Sequence, residues 1–440
     1  MSGNSRKPKI NIITLGCSKN IVDSEQLLGQ LKLNGAFVVD DVDQADIAVI
    51  NTCGFIDAAK QESIDAIVEA VEQKQGGKLA KVVVMGCLSE RYRSDLQKEL
   101  PGVDAFFGSN QLQDVVVELG VDYRRELLGE RVLTTPGHFA YLKISEGCDR
   151  PCSFCIIPKL RGNYRSRPHE SILREAERLA ARGVKELLLI SQDTSFYGID
   201  RQERGSLARL LRALNRVEGL EWIRMLYLYP TTIGDDVLDA MVESDKVCQY
   251  IDLPLQHASD SVLKRMKRPG TRASYEKLLD RIRTRVPGVS LRTTFVVGFP
   301  GETEADVAEL EDFVKTVRFD HVGVFTYSHE EGTSAHELAD DVGAAAKTAR
   351  RNRLMSVQRR IVGQTQKGRV GQRVRLLVDG PAAEHELVLR ARLESQAPDI
   401  DPLVYLTECD PTEFTAGQFI HAEVVGSRGY DLLARPVGPA

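Results

Sequence analysis

The sequence predicts an α/β protein in three parts: an N-terminal parallel α/β sheet, a central partial (β/α)6 barrel and a small all-β barrel at the C-terminus. Three observations predict this. Val/Ile-rich runs alternate with helical patterns through most of the chain, as expected for parallel sheets covered on both faces. A polar, turn-rich stretch interrupts the alternation once, between Val121 and His138. From Gly368 onward it gives way to short strands punctuated by glycine and proline. A chain of 440 residues also has room for about three domains.

In the N-terminal third, three segments share one construction. Lys9–Cys17 is a strand ending in Gly-Cys, Asp46–Gly54 a strand ending in Cys-Gly, and Lys81–Cys87 a strand ending in Gly-Cys. Helical patterns follow at least two of them, over Asp23–Leu33 and Ala58–Gln73. The intervals Cys17–Cys53 and Cys53–Cys87 are 36 and 34 residues, each about one β-α unit. All three thiols are therefore expected at the carboxyl ends of parallel strands, on the edge where open α/β sheets place ligands. A single cysteine of this kind is usually a buried bystander. Three at equivalent strand ends, each beside glycine, point to a metal site.

The central region opens with an alternating run, Phe139–Ile144, which delivers Cys148-Asp149-Arg150-Pro151-Cys152-Ser153-Phe154-Cys155. This is C-x3-C-x2-C with no fourth cysteine nearby. A closed structural zinc site wants four ligands. Three thiolates on one loop suit a centre with an open position, such as an iron–sulfur cluster with one free iron. Further strands are expected at Glu186–Ser191, Trp222–Tyr227, Tyr250–Leu253, Ser290–Val297 and His321–Tyr327, with helices between them. The site belongs at the strands' carboxyl ends. There the sequence places Ser191-Gln192-Asp193, Tyr229-Pro230, Pro254-Leu255-Gln256-His257 and Gly298-Phe299-Pro300-Gly301-Glu302. His257 alone fits a capping or core histidine as well as a functional one. The glycines of residues 298–301 fit a plain strand-to-helix turn as well as a ligand-binding one.

Composition limits the function classes. With 42% hydrophobic and 28% charged residues the chain reads as an ordinary soluble protein, and a net charge of −5 argues against a surface that grips nucleic acid throughout. No apolar run reaches membrane-spanning length, and the apolar stretch Ile10–Leu15 is too short for a signal-peptide core. The expected compartment is the cytoplasm, where disulfides are rare, so the eight cysteines read as metal ligands plus the structural Cys248 and Cys409.

The C-x3-C-x2-C loop with Phe154 before its last cysteine resembles the signature of radical S-adenosylmethionine enzymes. The preceding Cys17, Cys53 and Cys87, the following Pro158-Lys159-Leu160-Arg161-Gly162 and Ser166-Arg167-Pro168, Ser191-Gln192-Asp193 and the Gly298–Glu302 turn resemble the methylthiotransferase family across nearly the whole chain. The resemblance implies domains at 8–122, 136–365 (a radical-enzyme core) and 366–436 (a TRAM domain). It implies two 4Fe-4S clusters, one on Cys148, Cys152 and Cys155 that binds S-adenosylmethionine, and an auxiliary one on Cys17, Cys53 and Cys87 that carries sulfur. Phe154 would lie near the adenine, Gln192 or Asp193 near the methionyl end, and Gly298 would mark a further cofactor contact. Reductive cleavage of the sulfonium would yield a 5′-deoxyadenosyl radical.

The family has a branch that modifies tRNA adenosine and one that modifies an aspartate of small-subunit ribosomal protein twelve. Three features favour the second. His257 stands where the tRNA branch is expected to carry serine. Ala397-Pro398-Asp399-Ile400-Asp401 resembles the protein-modifying branch. Residues 366–440 hold eight bases and eleven acids, a net charge of −3 that suits a basic protein partner better than phosphate. The expected partners are that basic ribosomal protein, alone or in the assembled subunit, and an electron donor such as flavodoxin or ferredoxin. The tRNA is the less expected substrate, and a non-catalytic metalloprotein is the alternative from another class. The basic helix expected over Lys347–Gln366 reads as a connector with solvated charges.

Overall fold

A computed structural model describes residues 8–124, 129–382 and 385–439. Arg125 and Glu126 of the expected linker and the first seven residues lie outside them. The chain divides into two compact units. One runs through Thr134 and includes Glu146–Arg150 and Cys155–Arg165; the other takes Thr135–Ser145, Pro151–Phe154 and the chain from Ser166. The division runs through the cysteine loop. Cys148 and Cys155 fall in the first unit, Cys152 in the second.

The first unit contains β1 (Lys9–Thr14), α1 (Ser18–Leu33), β2 (Phe37–Val38), β3 (Ile47–Thr52), α2 (Asp57–Gln75), β4 (Lys81–Gly86), α3 (Cys87–Glu99), β5 (Ala105–Phe106) and α4 (Leu112–Glu118). Its five strands are parallel in the order β2-β1-β3-β4-β5, so the three cysteine-bearing strands are neighbours. β3 is buried along its whole length, which explains its unbroken apolar run. Helices follow all three cysteine strands, one more than the periodicity revealed; α3 escapes notice because polar Ser89–Ser94 masks its apolar stripe. The described part of the stretch expected as a linker is irregular but strapped to α1. Arg131 pairs with Glu25 at 3.2 Å, both side chains buried, and Glu25 Oε1 also accepts the Thr134 amide at 2.8 Å.

Between and beyond the units' first crossing come β6 (Phe139–Lys143), the two-residue strands β7 (Ser145–Glu146) and β8 (Arg165–Ser166) that bracket the cysteine loop, and α5 (Ile157–Arg161). The second unit continues with α6 (His169–Ala181), β9 (Glu186–Ile190), α7 (Ser206–Leu214), β10 (Trp222–Met225), α8 (Asp235–Glu243), β11 (Val247–Asp252), α9 (Asp260–Arg265), α10 (Arg272–Arg285), β12 (Ser290–Val297), α11 (Glu304–Val317), β13 (His321–Thr326) and α12 (Ala344–Lys367). The six long strands form a parallel sheet in sequential order from β6 to β13, the predicted open barrel. Capping boxes start α10 at Thr271 and α11 at Thr303.

The terminal module is a closed barrel of β14 (Arg373–Ala382), β15 (His385–Arg392), β16 (Val404–Leu406), β17 (Phe419–Arg428) and β18 (Asp431–Pro439). Sequence pattern reveals four of these strands. β18 is hidden by Pro436, Gly438 and Pro439, which the register shifts of its pairing with β17 accommodate. This module caps the amino ends of the central strands. Glu186 at the start of β9 pairs with Arg224 at 2.8 Å and Arg392 at 2.6 Å, all three fully buried. Arg392 also meets Asp379 at 2.8 Å, as does His138. Asp401 accepts from Tyr250 at 2.6 Å and Arg292 at 3.2 Å, and Asp399 accepts from Tyr141 at 3.2 Å. Trp222 meets Phe419 edge-on at 5.0 Å.

These contacts show which acids of the module are engaged. Asp379, Asp399 and Asp401 face the central sheet, and Glu408 and Glu423 are spent on Arg435. Glu394, Asp410 and Glu413 remain exposed. The contacts of Asp379 set an acid limit on stability. Burial works to raise the Asp379 carboxyl, but the His138 hydrogen bond and the Arg392 charge overcome it and hold it below the usual range. A carboxylate depressed in the folded state stabilises above its unfolded pKa of about 3.9, and that stability is lost as pH falls through the folded value. Denaturation midpoints should therefore drop on acidification below about pH 4, and Asp379→Asn should flatten that limb while lowering stability at neutral pH. Among the described residues, no helix is long and apolar enough to cross a membrane.

Candidate metal centres

In the first unit the sequence-predicted trio assembles at the carboxyl edge of the sheet. Cys17 is the N-cap of α1, Cys53 follows β3, and Cys87 opens α3 directly after β4. The strand ends are close. A Cβ added to Gly16, which has φ +92°, would lie 2.6 Å from Cys53 Cβ and 3.1 Å from its Sγ. Gly86, φ +103°, lies against Thr52 O. Only glycine fits these two positions, which explains the Gly-Cys pairs. Burial raises the Cys53 thiol and pushes that of Cys87 up to about 12, the Arg161 cation opposing it.

Sequence reasoning missed the polar groups that hold these strand ends. Asn20, fully buried, donates to Leu15 O at 2.7 Å and Thr52 O at 3.1 Å, the carbonyls preceding the Gly16-Cys17 and Cys53 turns. Its Oδ1 accepts from Arg161, whose other arm reaches Asp23 at 2.6 Å. Asn51 donates to Asn20 O at 2.9 Å. Ser63 on α2 brackets Cys53, accepting its amide at 3.0 Å and donating to its carbonyl at 3.1 Å. The available signal was Asn51, a polar residue two ahead of Cys53 that interrupts the apolar run Ile47–Ile50; Asn20 lies among other polar residues and carried none. The residues after the cysteine loop belong to this unit too: Leu160 and Ile156 pack with Cys87 and Phe55, and Cys148 N donates to Gly162 O at 3.0 Å.

In the second unit, Pro151–Phe154 is anchored to the end of α9. Ser153 donates its amide to Met266 O at 2.9 Å and its hydroxyl to Arg265 O at 2.8 Å, and its carbonyl accepts from Ala335 N at 2.8 Å. Phe154 packs among Val262, Met266, Phe299 and Tyr327. Cys152 Sγ accepts from Arg268 Nη1 at 3.5 Å. After β9, Asp193 is buried and accepts from Ser195 at 2.7 Å, and Gln192 precedes it on the same strand end. Gly298 N donates to Glu302 at 2.8 Å, and a Cβ there would strike Lys347 Cγ at 2.3 Å, so this glycine has a packing reason.

His257 is a structural histidine. Its Nδ1 accepts from Ser259 N at 2.9 Å, so Nε2 carries the proton and faces Glu302 at 3.5 Å. Glu302 in turn accepts from Arg350 at 3.0 Å. All of this is buried beneath the residue 298–302 turn, which it braces. Cys248 lies buried in a strand, as expected of a bystander.

Among the described residues no group of three or more His, Cys, Asp or Glu side chains is arranged to hold a single metal ion. A cubane makes a different demand, since each iron takes its own cysteine. The donor set fits that demand. The strand-end set is three thiols, soft ligands of the kind iron–sulfur clusters take, and glycine at Gly16 and Gly86 lets the strand ends that carry them come close together.

Comparison with known proteins agrees with this division. Residues 9–108 match the Uncharacterized protein family UPF0004, residues 142–314 the Radical SAM superfamily and residues 370–437 the TRAM domain. The radical S-adenosylmethionine methyltransferase TsrM from Kitasatospora setae shares the fold with a TM-score of 0.54 at 14% identity, covering 72% of either chain. The "Ribosomal protein uS12 methylthiotransferase RimO" of Flavobacterium johnsoniae is 49% identical over 434 residues, 98% of each chain. That of Christiangramia forsetii is 47% identical over 98% of this chain and 95% of its own. That of Chloroherpeton thalassium is 45% identical over 98% of both. With all three regions present and matched end to end at this identity, the chain belongs to the ribosomal protein uS12 methylthiotransferase RimO family.

Proposed function

We propose that the protein is a radical S-adenosylmethionine methylthiotransferase that adds a methylthio group to the β-carbon of an aspartate of ribosomal protein uS12, giving 3-methylthioaspartate. The whole-length similarity to relatives of that name carries the reading. It also favours the branch to which the charge of the terminal module pointed.

Cys148, Cys152 and Cys155 would hold one 4Fe-4S cluster with an iron open to S-adenosylmethionine, and Cys17, Cys53 and Cys87 the auxiliary cluster. When bound, these groups supply the carbon radical, the sulfur and the methyl group. The chain's own work is to hold and shield them. Asn20, Asn51 and Ser63 fix the backbone around the first trio, so its thiols need little rearrangement to take metal. Phe154, packed into an apolar cluster, would offer a dry face to the adenine. Asp193, held by Ser195, would with Gln192 meet the methionyl end, and the Gly298 turn would border the same ligand. An electron donor such as flavodoxin or ferredoxin would reduce the loop centre.

The test is mass spectrometry of small-subunit proteins from cells lacking the gene. The expected result is loss of one methylthio increment from uS12 alone. An unchanged uS12 with loss of a methylthio group from tRNA would replace this reading with the tRNA one.

A further inference from the structure

The largest fully buried arginines have carboxylate partners: Arg131 pairs with Glu25, Arg161 with Asp23, Arg224 with Glu186, and Arg392 with Glu186 and Asp379. Arg268 is different. It is 8% exposed, and among the described residues it makes no ion pair with a carboxylate. Its Nη1 donates to Cys152 Sγ at 3.5 Å and its Nη2 to the Pro254 carbonyl. Its guanidinium lies 4.3 Å from the Tyr229 ring centroid. Its Nε is buried with no hydrogen-bond partner among the described residues. A buried cation with neither counter-ion nor a full set of acceptors is costly. Among the described residues the groups beside it that can become anions are the Cys152 thiol and the phenols of Tyr229 and Tyr275, and of these the thiol is the one that ionises on taking a metal.

Its placement is rigid. Arg268 N donates to Leu263 O at 2.9 Å, so the residue is registered to α9, and the same helix end binds Ser153 through Met266 O and Arg265 O. The arginine and Cys152 are thus held by one backbone element. Reduction makes a cluster one charge more negative, and a fixed neighbouring cation favours that state.

We infer that Arg268 is a positioning residue of the loop centre: it supplies the counter-charge to the Cys152 thiolate, donates through Nε to an acceptor of the bound centre or its ligand, and raises the centre's reduction potential. This rests on Cys152 being a cluster ligand. The electron comes from the low-potential donor or, in vitro, from dithionite, and no proton need move.

The experiment uses the full chain with Cys17, Cys53 and Cys87 replaced by alanine, so that only the loop centre remains. Protein is reconstituted with iron and sulfide, and its midpoint potential is read by EPR-monitored titration, with iron content and circular dichroism alongside. In Arg268→Gln the ratio of reduced to oxidised centre at the parent's midpoint should fall about tenfold, a shift of about 59 mV to lower potential for a one-electron couple. Arg268→Lys should stay within roughly threefold, because the charge is kept. Loss of iron from a folded Arg268→Gln with retention in Arg268→Lys also supports the inference. An unchanged midpoint in an iron-replete Arg268→Gln overturns it, as does iron loss from both variants. A parent protein without iron instead overturns the assignment of Cys148, Cys152 and Cys155 on which it stands.

Discussion

On the proposed assignment, replacing any one of Cys148, Cys152 or Cys155 with alanine should abolish both S-adenosylmethionine cleavage and methylthio transfer, whereas replacing Cys17, Cys53 or Cys87 should abolish transfer but leave cleavage. This split follows from the separate duties proposed for the two trios. The strand ends that carry Cys17 and Cys53 are fixed by Asn20, Asn51 and Ser63. Loss of the strand-end trio should leave Pro151–Phe154, held by Met266, Arg265 and Ala335, in place. Each cubane keeps an open iron only while its three thiolates hold the rest, so one missing ligand suffices to empty the site. The readouts are chromatographic assay of 5′-deoxyadenosine and mass spectrometry of the substrate protein. Methylthio transfer by a Cys53→Ala protein, or no cleavage by one that keeps the loop cluster, would contradict the division.

Replacing Glu186 with glutamine should cost about 3–5 kcal/mol, because removing one member of a buried ionic group strands the others. Here one carboxylate faces two buried guanidinium groups, Arg224 at 2.8 Å and Arg392 at 2.6 Å. Asp379 would be left to balance Arg392, and Arg224 would be left with the Glu394 carbonyl at 2.6 Å and the Tyr250 ring. The loss falls where the terminal barrel meets the central sheet, so limited proteolysis should release that barrel earlier in the variant. Chemical denaturation measures the cost. A change below about 1 kcal/mol would show that the network is not what holds the two together.

The layered architecture was legible because strand and helix periods are local properties. β12 and α11 appear with the boundaries their apolar patterns implied, Ser290–Val297 and Glu304–Val317. The thiols were legible because cysteine beside glycine, repeated at the length of one β-α unit, returns each thiol to the same sheet edge. What escaped was non-local. Asn20 and Arg161 are ordinary polar residues 141 positions apart in sequence that meet at one hydrogen bond. Arg268 lies 116 residues from Cys152, in the basic run Lys264-Arg265-Met266-Lys267-Arg268. The net charge of the terminal module pointed to the right branch but did not show which acids are engaged inside the fold. Counting acids does not say which of them face inward, and Asp401 is buried against Tyr250 and Arg292. His257 marked a difference between branches, yet its role is to brace a turn through Glu302.

The most direct measurement offers both substrates to one enzyme. Anaerobically reconstituted protein is given S-adenosylmethionine, a low-potential reductant, ribosomal protein uS12 and isopentenyl-adenosine tRNA together, and both products are analysed by mass spectrometry. The account predicts one methylthio group on a single aspartate of uS12 and unmodified tRNA. A methylthiolated tRNA beside unchanged uS12 would contradict it.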